Sequence, residues 1–211
     1  MKTLIAFLFF SPGLVLASPA KFGIDIKKSS IHYFLPYSTG TSEGDVRAVD
    51  GSVTLDPDHP SAVSGEFTVP ISSIDSGSAK RTCHLQEALG LNYAVSDFPN
   101  DHVCDGDKLP LTGKNSVVFT TIHFKVLKIT SMTEAASIEV EGEWVIHGVS
   151  HSDHLKMKMI REGTGLRLKG ETQFSLKNYG IVVKPAKIAF ITISVHDELR
   201  VVLDLLLTPT I

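Results

Sequence analysis

The chain has 211 residues, 43% of them hydrophobic, and a formal net charge of −3. Proteins that bind the phosphate backbone of nucleic acids need a basic surface, so this charge argues against a nucleic-acid partner. Once an N-terminal leader is set aside, roughly 190 residues remain, which fits one domain with a substantial core.

The N-terminus has the pattern of a secretory signal peptide. Lys2 supplies a positive charge, the apolar run Leu4–Phe10 follows it, and small residues lie between Ala17 and Ala20. This order predicts a signal peptide over residues 1–20, cleaved after Ala17 or Ala20. A membrane anchor is the alternative, but the run is short and a Pro-Gly pair interrupts it. We therefore expect residues 21–211 to form one exported domain, periplasmic or secreted, with no integral membrane segment after cleavage.

Most of the remaining chain alternates between apolar and polar residues with a period of two, which indicates half-buried β-strands. Turn signals rich in Gly, Pro and Asp separate these runs. About eight strands with one apolar face predict an all-β, antiparallel barrel, because closure removes the exposed edges. The predicted strands are Ser29–Tyr37, Val46–Leu55, Val63–Ile71, Ser116–Ile129, Ile138–Ile146, Leu155–Met159, Leu166–Leu176 and Ala189–Leu207, the last broken near Asp197 and Glu198.

One helix is predicted, over Ser78–Asn92, and it follows a turn rich in Ser, Asp and Gly. A helix at the end of an antiparallel sheet can close a barrel on one side. This helix also places the titratable His84 next to apolar residues such as Leu85. A pocket for an apolar molecule with a polar head can be built from such parts.

The segment after the predicted helix contains a long loop and the second of two cysteines. Tyr93–Lys114 is rich in Asp, Asn, Gly and Pro, has no period and is predicted to be a loop. Cys83 and Cys104 predict a disulfide in an exported protein. Closing a loop of about 20 residues would stabilise the fold by ~3 kcal/mol in the chain-entropy model. Two free thiols, or a metal pair with a histidine, remain the alternatives.

Two polar clusters contain residue types that metal or catalytic sites use. His147, His151 and His154 lie close together in sequence, and zinc sites use such residues. Their spacing on a hairpin does not fit a ligand pair, so a polar hairpin tip is favoured and no metal site is predicted. Asp75 and His84 lie near several serines, but no G-x-S-x-G nucleophile motif is present. A turn and helix cap explain that cluster better, and no catalysis is predicted.

The interior of a barrel of this size is either filled by side chains or holds one small ligand. Neighbouring methionines on one strand face would suit an adaptable lining. Both possibilities stay open at this point. The candidates for inward-facing side chains are Phe34, Phe67, Phe119, Trp144, Met157, Met159 and Phe174.

Four sequence blocks resemble one known family. The run S-I-D-S-G at Ser73–Gly77, followed by R-x-x-H-L at Arg81–Leu85, resembles the S-I-D-T-G…R-D-x-H-L signature of the YceI-like family. The run G-E-W-V-I-H-G-V-S at Gly142–Ser150 is similar to the family's G-x-L-T-x-H-G-V-T hairpin. Val46–Pro57 and Phe174–Ile181 are similar to two further blocks. All four occur in the family's order and span nearly the whole chain after the leader.

The resemblance implies an eight-stranded antiparallel lipocalin-like barrel with one short helix at its opening. It also implies export to the periplasm and non-catalytic binding of a long polyisoprenoid or related amphiphilic lipid, with no cofactor. Carried over by position, Arg81, His84 and Leu85 would lie at the pocket entrance, with His147 on its supporting hairpin. Thr82 stands where the family's pattern has Asp.

The leading hypothesis is therefore a periplasmic barrel that sequesters or ferries an isoprenoid-type lipid. One alternative is a structural or interaction module whose filled barrel presents Tyr93–Lys114 to a protein partner. A less favoured alternative is a metal-dependent enzyme at His147–His154. The sequence leaves a homodimer open.

Overall fold

The computed structural model describes residues 19–90, 119–132, 134–181, 183, 186–188 and 190–210. Within these ranges the chain forms thirteen strands and one α-helix. The helix α1 spans Ala79–Leu89, and short 3-10 turns cover Ile26–Lys28, Ile71–Ser73 and Leu176–Tyr179. The strands are β1 (Ala20–Ile24), β2 (Ser30–Tyr37), β3 (Gly40–Val46), β4 (Asp50–Asp56), β5 (His59–Pro70), β6 (Ile74–Asp75), β7 (Thr121–Ser131), β8 (Ser137–Ile146), β9 (Val149–Glu162), β10 (Gly165–Ser175), β11 (Ala186–Ile188), β12 (Ile191–Ile193) and β13 (Glu198–Pro209).

Eight strands close into an antiparallel ring in the order β1, β4, β5, β7, β8, β9, β10 and β13, with β13 returning to β1. The closure pairs Phe22 with Pro209 and Ile24 with Leu207. Farther along, β13 pairs with β2 instead, with Arg200 opposite Phe34. Because β1 and β2 flank one 3-10 turn and use the same neighbour, they share one position in the ring. The predicted eight-stranded barrel with one short helix is confirmed.

The strand alternation decides which side chains enter the barrel. On β2, Ile31, Tyr33 and Leu35 are buried, while the intervening His32 is exposed. On β8 the inward-facing positions include Gly142. A Cβ atom at this position would collide with the ring of Phe124 on the neighbouring strand. The inward faces of the ring therefore meet in a continuous apolar interior.

The interior contains two hydrophobic clusters, one at each end of the barrel. At the end that we call the helix end, α1 and the 3-10 turn Leu176–Tyr179 pack over residues such as Tyr33 and Ile71. The cluster toward the other end, the far end, is built around residues such as Leu55 and Leu207. The helix is therefore placed as a cover on one end of the barrel.

Some predicted bounds change in the structure. The predicted strand Val46–Leu55 is divided, since β3 ends at Val46 and β4 begins at Asp50. The predicted break near Asp197 is confirmed by the gap between β12 and β13. The helix ends at Leu89, because Gly90 follows with a φ of 131°, a conformation that favours glycine. The predicted signal peptide, the loop 93–114 and Cys104 lie almost entirely outside the described residues and stay predictions, as does the domain boundary at residue 21.

Candidate functional site

Two apolar cavities lie inside the barrel. The first, of about 100 Å³, is near the far end and is lined by side chains such as Phe67, Met157 and Met159. The second, of about 110 Å³, is at the helix end and is lined by residues that include Leu85 and Phe174. Each is larger than the roughly 10–15 Å³ that a single water needs on the same kind of measure. The barrel is therefore not completely filled by its own side chains.

The two cavities adjoin at a narrow waist. Five side chains line both of them: Ile31, Val69, Ile122, Trp144 and Leu203. Since these residues come from β2, β5, β7, β8 and β13, they surround the barrel axis. The cavities thus follow one another along the axis and form a two-chambered apolar site, to which we refer as the tunnel.

Trp144 is the largest side chain at the waist. Its ring lies 4.3 Å from the Phe124 ring and 5.0 Å from the Phe174 ring, measured between centroids. The indole Nε1 is buried and has no hydrogen-bond partner among the described residues. The aromatic neighbours fix the indole on both sides, so its position limits the passage between the two chambers.

The helix α1 is fastened to the end of the barrel by polar contacts. Gln86 donates hydrogen bonds from Nε2 to the carbonyl oxygens of Ser72 and Ile74, at 3.2 and 3.0 Å. These bonds hold the helix across the strand end, while Leu85 and Leu89 face the helix-end cavity. The cover of the tunnel is therefore attached both by the hydrogen bonds of the buried Gln86 and by apolar contact.

The turn that leads into α1 is organised by Asp75. Its Oδ1 accepts hydrogen bonds from the Gly77 backbone N–H and the Thr82 hydroxyl, each at 3.0 Å. The Arg47 guanidinium pairs with the other carboxylate oxygen. The Gly77 and Thr82 bonds, followed by the charge of Arg47, hold the pKa of Asp75 below its usual range. Thr82, which replaces the family's Asp, thus has a clear structural role here.

Two histidines of the β8–β9 hairpin contact the turn that closes the tunnel. His147 Nδ1 lies 3.1 Å from the carbonyl oxygen of Tyr179, and His151 Nε2 lies 2.9 Å from that of Asn178. A carbonyl can only accept, so these ring nitrogens are the donors. His154 instead lies near Glu139, with 3.9 Å between Nδ1 and Oε2. The first two histidines therefore fasten the 3-10 turn Leu176–Tyr179 to the hairpin.

Among the described residues no group of three or more His, Cys, Asp or Glu side chains is arranged to hold a metal ion. Within the same ranges, no helix has the length and hydrophobicity needed to cross a membrane.

The structure brings most of the predicted inward residues together in the tunnel. Phe67, Met157 and Met159 line the far-end cavity, Phe174 lines the helix-end cavity, and Trp144 lines both. Their contact with a ligand stays a prediction. Phe119 is placed differently: it packs on the outer part of the helix-end cluster, 4.7 Å from the His147 ring, and does not line either cavity.

The prediction that Phe34 faces inward is wrong. Its ring lies on the outside of β2, where the Arg200 guanidinium carbon is 4.4 Å from the ring centroid. The inward positions of this strand are Ile31, Tyr33 and Leu35. The two faces of a strand alternate, so Phe34 shares its face with the exposed His32.

Arg81, His84 and Leu85, the three helix residues carried over from the family pattern, differ in their position relative to the cavities. Only Leu85 lines a cavity. Arg81 is exposed and donates from Nη2 to the carbonyl oxygen of Ser76 at 3.3 Å. His84 faces the fully buried Glu87, with 3.5 Å between Nδ1 and Oε2, and does not line either cavity.

The sequence reasoning missed two tyrosines in the wall of the helix-end cavity. Tyr33 and Tyr179 are both buried, at 3% and 4% exposure. Burial raises the pKa of Tyr33, and burial followed by the charge of Asp153 raises that of Tyr179 to about 12. Both phenols are therefore neutral at physiological pH and lie at the end of the tunnel nearest the helix. The alternation of β2 could have identified Tyr33, but no local signal places Tyr179.

Comparison with known proteins agrees with the sequence motifs. The model of the YceI-like domain matches residues 22–102. The protein YceI of Salmonella newport (strain SL254) is 28% identical over 188 residues, covering 84% of this chain and 83% of that protein. The protein YceI of Escherichia coli O157:H7 is 33% identical over 117 residues, covering 51% of this chain and 59% of that protein.

Solved structures share the barrel at low identity. BcnA of Burkholderia cenocepacia superposes with a TM-score of 0.62 at 16% identity, covering 87% of this chain and 98% of BcnA. A polyisoprenoid binding domain from Saccharophagus degradans, described as implicated in plant cell wall breakdown, gives 0.60 at 10% identity, covering 90% and 98%. At these identities the likeness shows the fold alone. Together with the sequence matches it confirms the resemblance that the motifs predicted: the chain is YceI-like in its sequence over residues 22–102 and in the barrel that it forms.

Proposed function

We propose that this protein is an exported, non-catalytic carrier that holds an isoprenoid-type or other amphiphilic lipid inside its barrel, for sequestration or transport. The observation that carries the proposal is the tunnel, because two apolar cavities adjoin along the barrel axis. Apolar walls of this kind bind by removing apolar ligand surface from water. They suit a ligand that presents hydrocarbon along most of its length.

The shape of the tunnel favours a narrow chain over a compact ligand. Each chamber is small, and the waist at Trp144 lies between them. A flexible chain can pass from one chamber to the next, whereas a wide rigid molecule would have to displace the waist. The name of the Saccharophagus degradans domain, a polyisoprenoid binding domain with the same fold, points to the same ligand class.

Both cavities present apolar surface, and Tyr33 and Tyr179 line the helix-end cavity with their rings and not with their hydroxyls. Polar groups lie outside that cavity, in the turn that leads into α1, where Asp75 accepts hydrogen bonds from Gly77 and Thr82. An amphiphilic ligand would therefore keep its tail inside the tunnel and its polar head outside it, near the turn before α1. Among the described residues that line the tunnel there is no carboxylate, imidazole, thiol or amine, and so a binding role fits better than catalysis.

Export is part of the same proposal and is supported by the N-terminal sequence. Lys2 and the apolar run Leu4–Phe10 have the order of a signal peptide. A carrier located outside the cytoplasm would meet isoprenoid lipids at a membrane surface. Mass determination of the protein recovered from the periplasm tests this point, since we expect a chain that begins after Ala17 or Ala20.

Mass spectrometry of the gently extracted protein tests lipid binding directly. We expect a co-purifying lipid, and we expect added isoprenoid quinone or polyprenol to change the fluorescence of Trp144, which is the chain's only tryptophan. A protein that carries no lipid and binds neither compound would contradict the proposal. That result would favour the structural or interaction module instead.

A matched pair of variants on β13 tests whether the ligand occupies the tunnel. Leu203 lines both cavities, and its neighbour Val202 has the opposite parity on the same strand. Leu203→Phe adds volume at the waist and should lower lipid affinity at least about tenfold, with an overpacking cost of about 1–3 kcal/mol in stability. Val202→Phe on the outer face should bind as the wild type does. Equal affinity of both variants would place the ligand outside the tunnel.

A further inference from the structure

A small hairpin projects from the helix end of the barrel. It consists of β11 and β12, with Ala186 paired to Ile193 and Ile188 to Ile191. On one side it follows Ile181, which is 2% exposed and lines the helix-end cavity. The hairpin therefore begins five residues after a residue of the tunnel wall.

The other side of the hairpin is also fastened to the barrel. Val195 packs against the helix-end cluster and forms a bridge with Tyr37 at the end of β2. The backbone N–H of Ser38 donates to the carbonyl oxygen of Ser194 at 2.9 Å, and that of His196 donates to Pro36 at 2.8 Å. The C-terminal side of the hairpin is thus held against the end of β2.

Large apolar side chains at the tip are uncovered. Phe190 is fully exposed, at 104% of its reference area, and the adjacent Ile191 is 57% exposed. Other large hydrophobic residues exposed within the described ranges, such as Leu127 and Ile160, reach only 43% and 46%. A fully exposed phenylalanine next to an exposed isoleucine costs solubility unless another apolar phase covers the pair.

The composition of the hairpin is also suited to lipid. Residues 186–195 contain one lysine and no acidic residue. Insertion of the tip would therefore bring no carboxylate to the level of the lipid headgroups. Phe is one of the residues with which peripheral proteins enter the boundary between headgroups and acyl chains.

We propose that the β11–β12 hairpin is a membrane-contact element that inserts Phe190 and Ile191 into the surface of a lipid bilayer. A bilayer fits this tip better than a protein does, because two side chains offer a few hundred Å² at most. A stable protein interface buries roughly 800 Å² on each partner. A bilayer, in contrast, needs only a few apolar side chains for transient attachment.

The position of the hairpin indicates a role for the membrane contact in lipid entry. This role rests on the proposed lipid-carrier function. Because Val195, just after the hairpin, packs against the helix-end cluster, attachment turns the helix end toward the bilayer. Both α1 and the 3-10 turn Leu176–Tyr179 would then face the lipid phase from which a ligand enters. Weak, reversible binding through two side chains suits a carrier that must leave the membrane again.

Vesicle flotation with the purified full-length protein tests the contact. Vesicles of phosphatidylcholine mixed with phosphatidylglycerol, without isoprenoid, should bind the wild type. The double variant Phe190→Ser with Ile191→Ser should lower the partition coefficient at least about tenfold, because two apolar side chains no longer leave water. Ile160→Ser, an exposed isoleucine near the far end of β9, is the matched control and should bind as the wild type does.

Each outcome separates this inference from the carrier function. Wild-type protein that does not bind vesicles, or a double variant that binds as well as the wild type, would overturn the inference. Hairpin-dependent dimerisation without vesicles would overturn it in favour of a protein contact. Isoprenoid affinity of the double variant, measured in solution through Trp144 fluorescence, should stay within about twofold of the wild type, since the tip does not line the tunnel. If neither the wild type nor the variants bind isoprenoid, the carrier function is contradicted, but the vesicle result still tests the membrane contact.

Discussion

At the scale of single residues, Asp75 shows how one carboxylate organises the entry to the helix that covers the tunnel. It accepts two hydrogen bonds and pairs with Arg47, and these contacts lower its pKa. Thr82, placed where the family's pattern has Asp, is one of the donors. The departure from the pattern therefore leaves the turn fully hydrogen-bonded.

Asp75 should make the stability of the protein depend on pH. Because its folded-state pKa is lowered, the stabilisation is present above the unfolded carboxyl value of about 3.9 and is lost as the pH falls through the lower folded value. Urea unfolding should show a free energy of unfolding that falls from about pH 4 downward in the wild type. Asp75→Asn should be less stable at neutral pH and should lose less on acidification. The exposed Asp50→Asn is the control and should follow the wild-type curve.

His147 combines an unusual backbone conformation with a long-range hydrogen bond. It begins the two-residue turn between β8 and β9, and both turn residues have positive φ, 52° for His147 and 74° for Gly148. Such a turn matches the twist of the strands and is most often formed by Asn-Gly or Gly-Gly. The imidazole bond to Tyr179 explains why a histidine is useful at this position in spite of the backbone.

Two substitutions at His147 separate these contributions. His147→Ala removes the bond and keeps the strained backbone, so it should lower the free energy of unfolding by about 1–2 kcal/mol. His147→Gly also removes the bond but relieves the backbone, and should be more stable than the alanine variant by about 1 kcal/mol. Chemical denaturation of the pair checks this order. An alanine variant as stable as the glycine variant would show that the backbone is not strained.

At the scale of secondary-structure elements, α1 shows the limit of carrying residues over by motif. The motif groups Arg81, His84 and Leu85, and their spacing places them on neighbouring parts of one helical face, but they lie at different heights along the helix. Leu85 faces the tunnel, whereas Arg81 is exposed and bonds to the turn. The position along the helix distinguishes these roles, because Arg81 lies one turn before Leu85 and reaches the turn that contains Ser76.

We therefore expect opposite results from two alanine variants of α1. Leu85→Ala removes apolar lining and should weaken lipid binding by about 5- to 20-fold. Arg81→Ala should leave the affinity unchanged, since the side chain does not reach either cavity. Titration with a polyprenol, followed through Trp144 fluorescence, measures both. A strong effect of Arg81→Ala would restore the entrance role that the resemblance implies.

Strand β2 shows which part of an element the sequence can predict. The alternation predicted a strand at Ser29–Tyr37, and the structure has one at Ser30–Tyr37. Both faces of β2 carry an aromatic residue, Tyr33 on one and Phe34 on the other. The hydrophobicity of these two residues therefore does not show which face points into the barrel. The neighbouring positions decide the matter, because His32 and Pro36 share the face of Phe34. Phe34 therefore belongs to the outer face, and the prediction that it faces inward is wrong.

At the scale of the whole molecule, the waist should determine which lipid the tunnel accepts. Trp144 lies where the family's pattern has Leu, and its indole separates the two chambers. Trp144→Leu should widen the waist between the chambers and raise the affinity for a long polyprenol relative to a short one. Binding of labelled polyprenols of two chain lengths measures the ratio. A ratio equal to that of the wild type would show that the waist does not select chain length.

The same substitution should cost stability. Trp144 packs between Phe124 and Phe174, and a smaller side chain leaves part of that space empty. We expect Trp144→Leu to lower the free energy of unfolding by about 2–4 kcal/mol, as large-to-small substitutions in cores do. Calorimetry in the presence of a long polyprenol should recover part of the loss, because a ligand that binds only the folded state stabilises it.

The sequence alone determined the local features of this protein. Period-two alternation and turn residues specified the strands, the break before β13 and the helix after Gly77, because these depend on neighbours in the chain. Motif spacing then indicated the family and, with it, the barrel. The tertiary structure alone decided the closure of β13 on β1, the identity of the five waist residues and the contact of His147 with Tyr179. Those features depend on strand register between distant segments, and a local pattern does not encode which distant residue lies opposite.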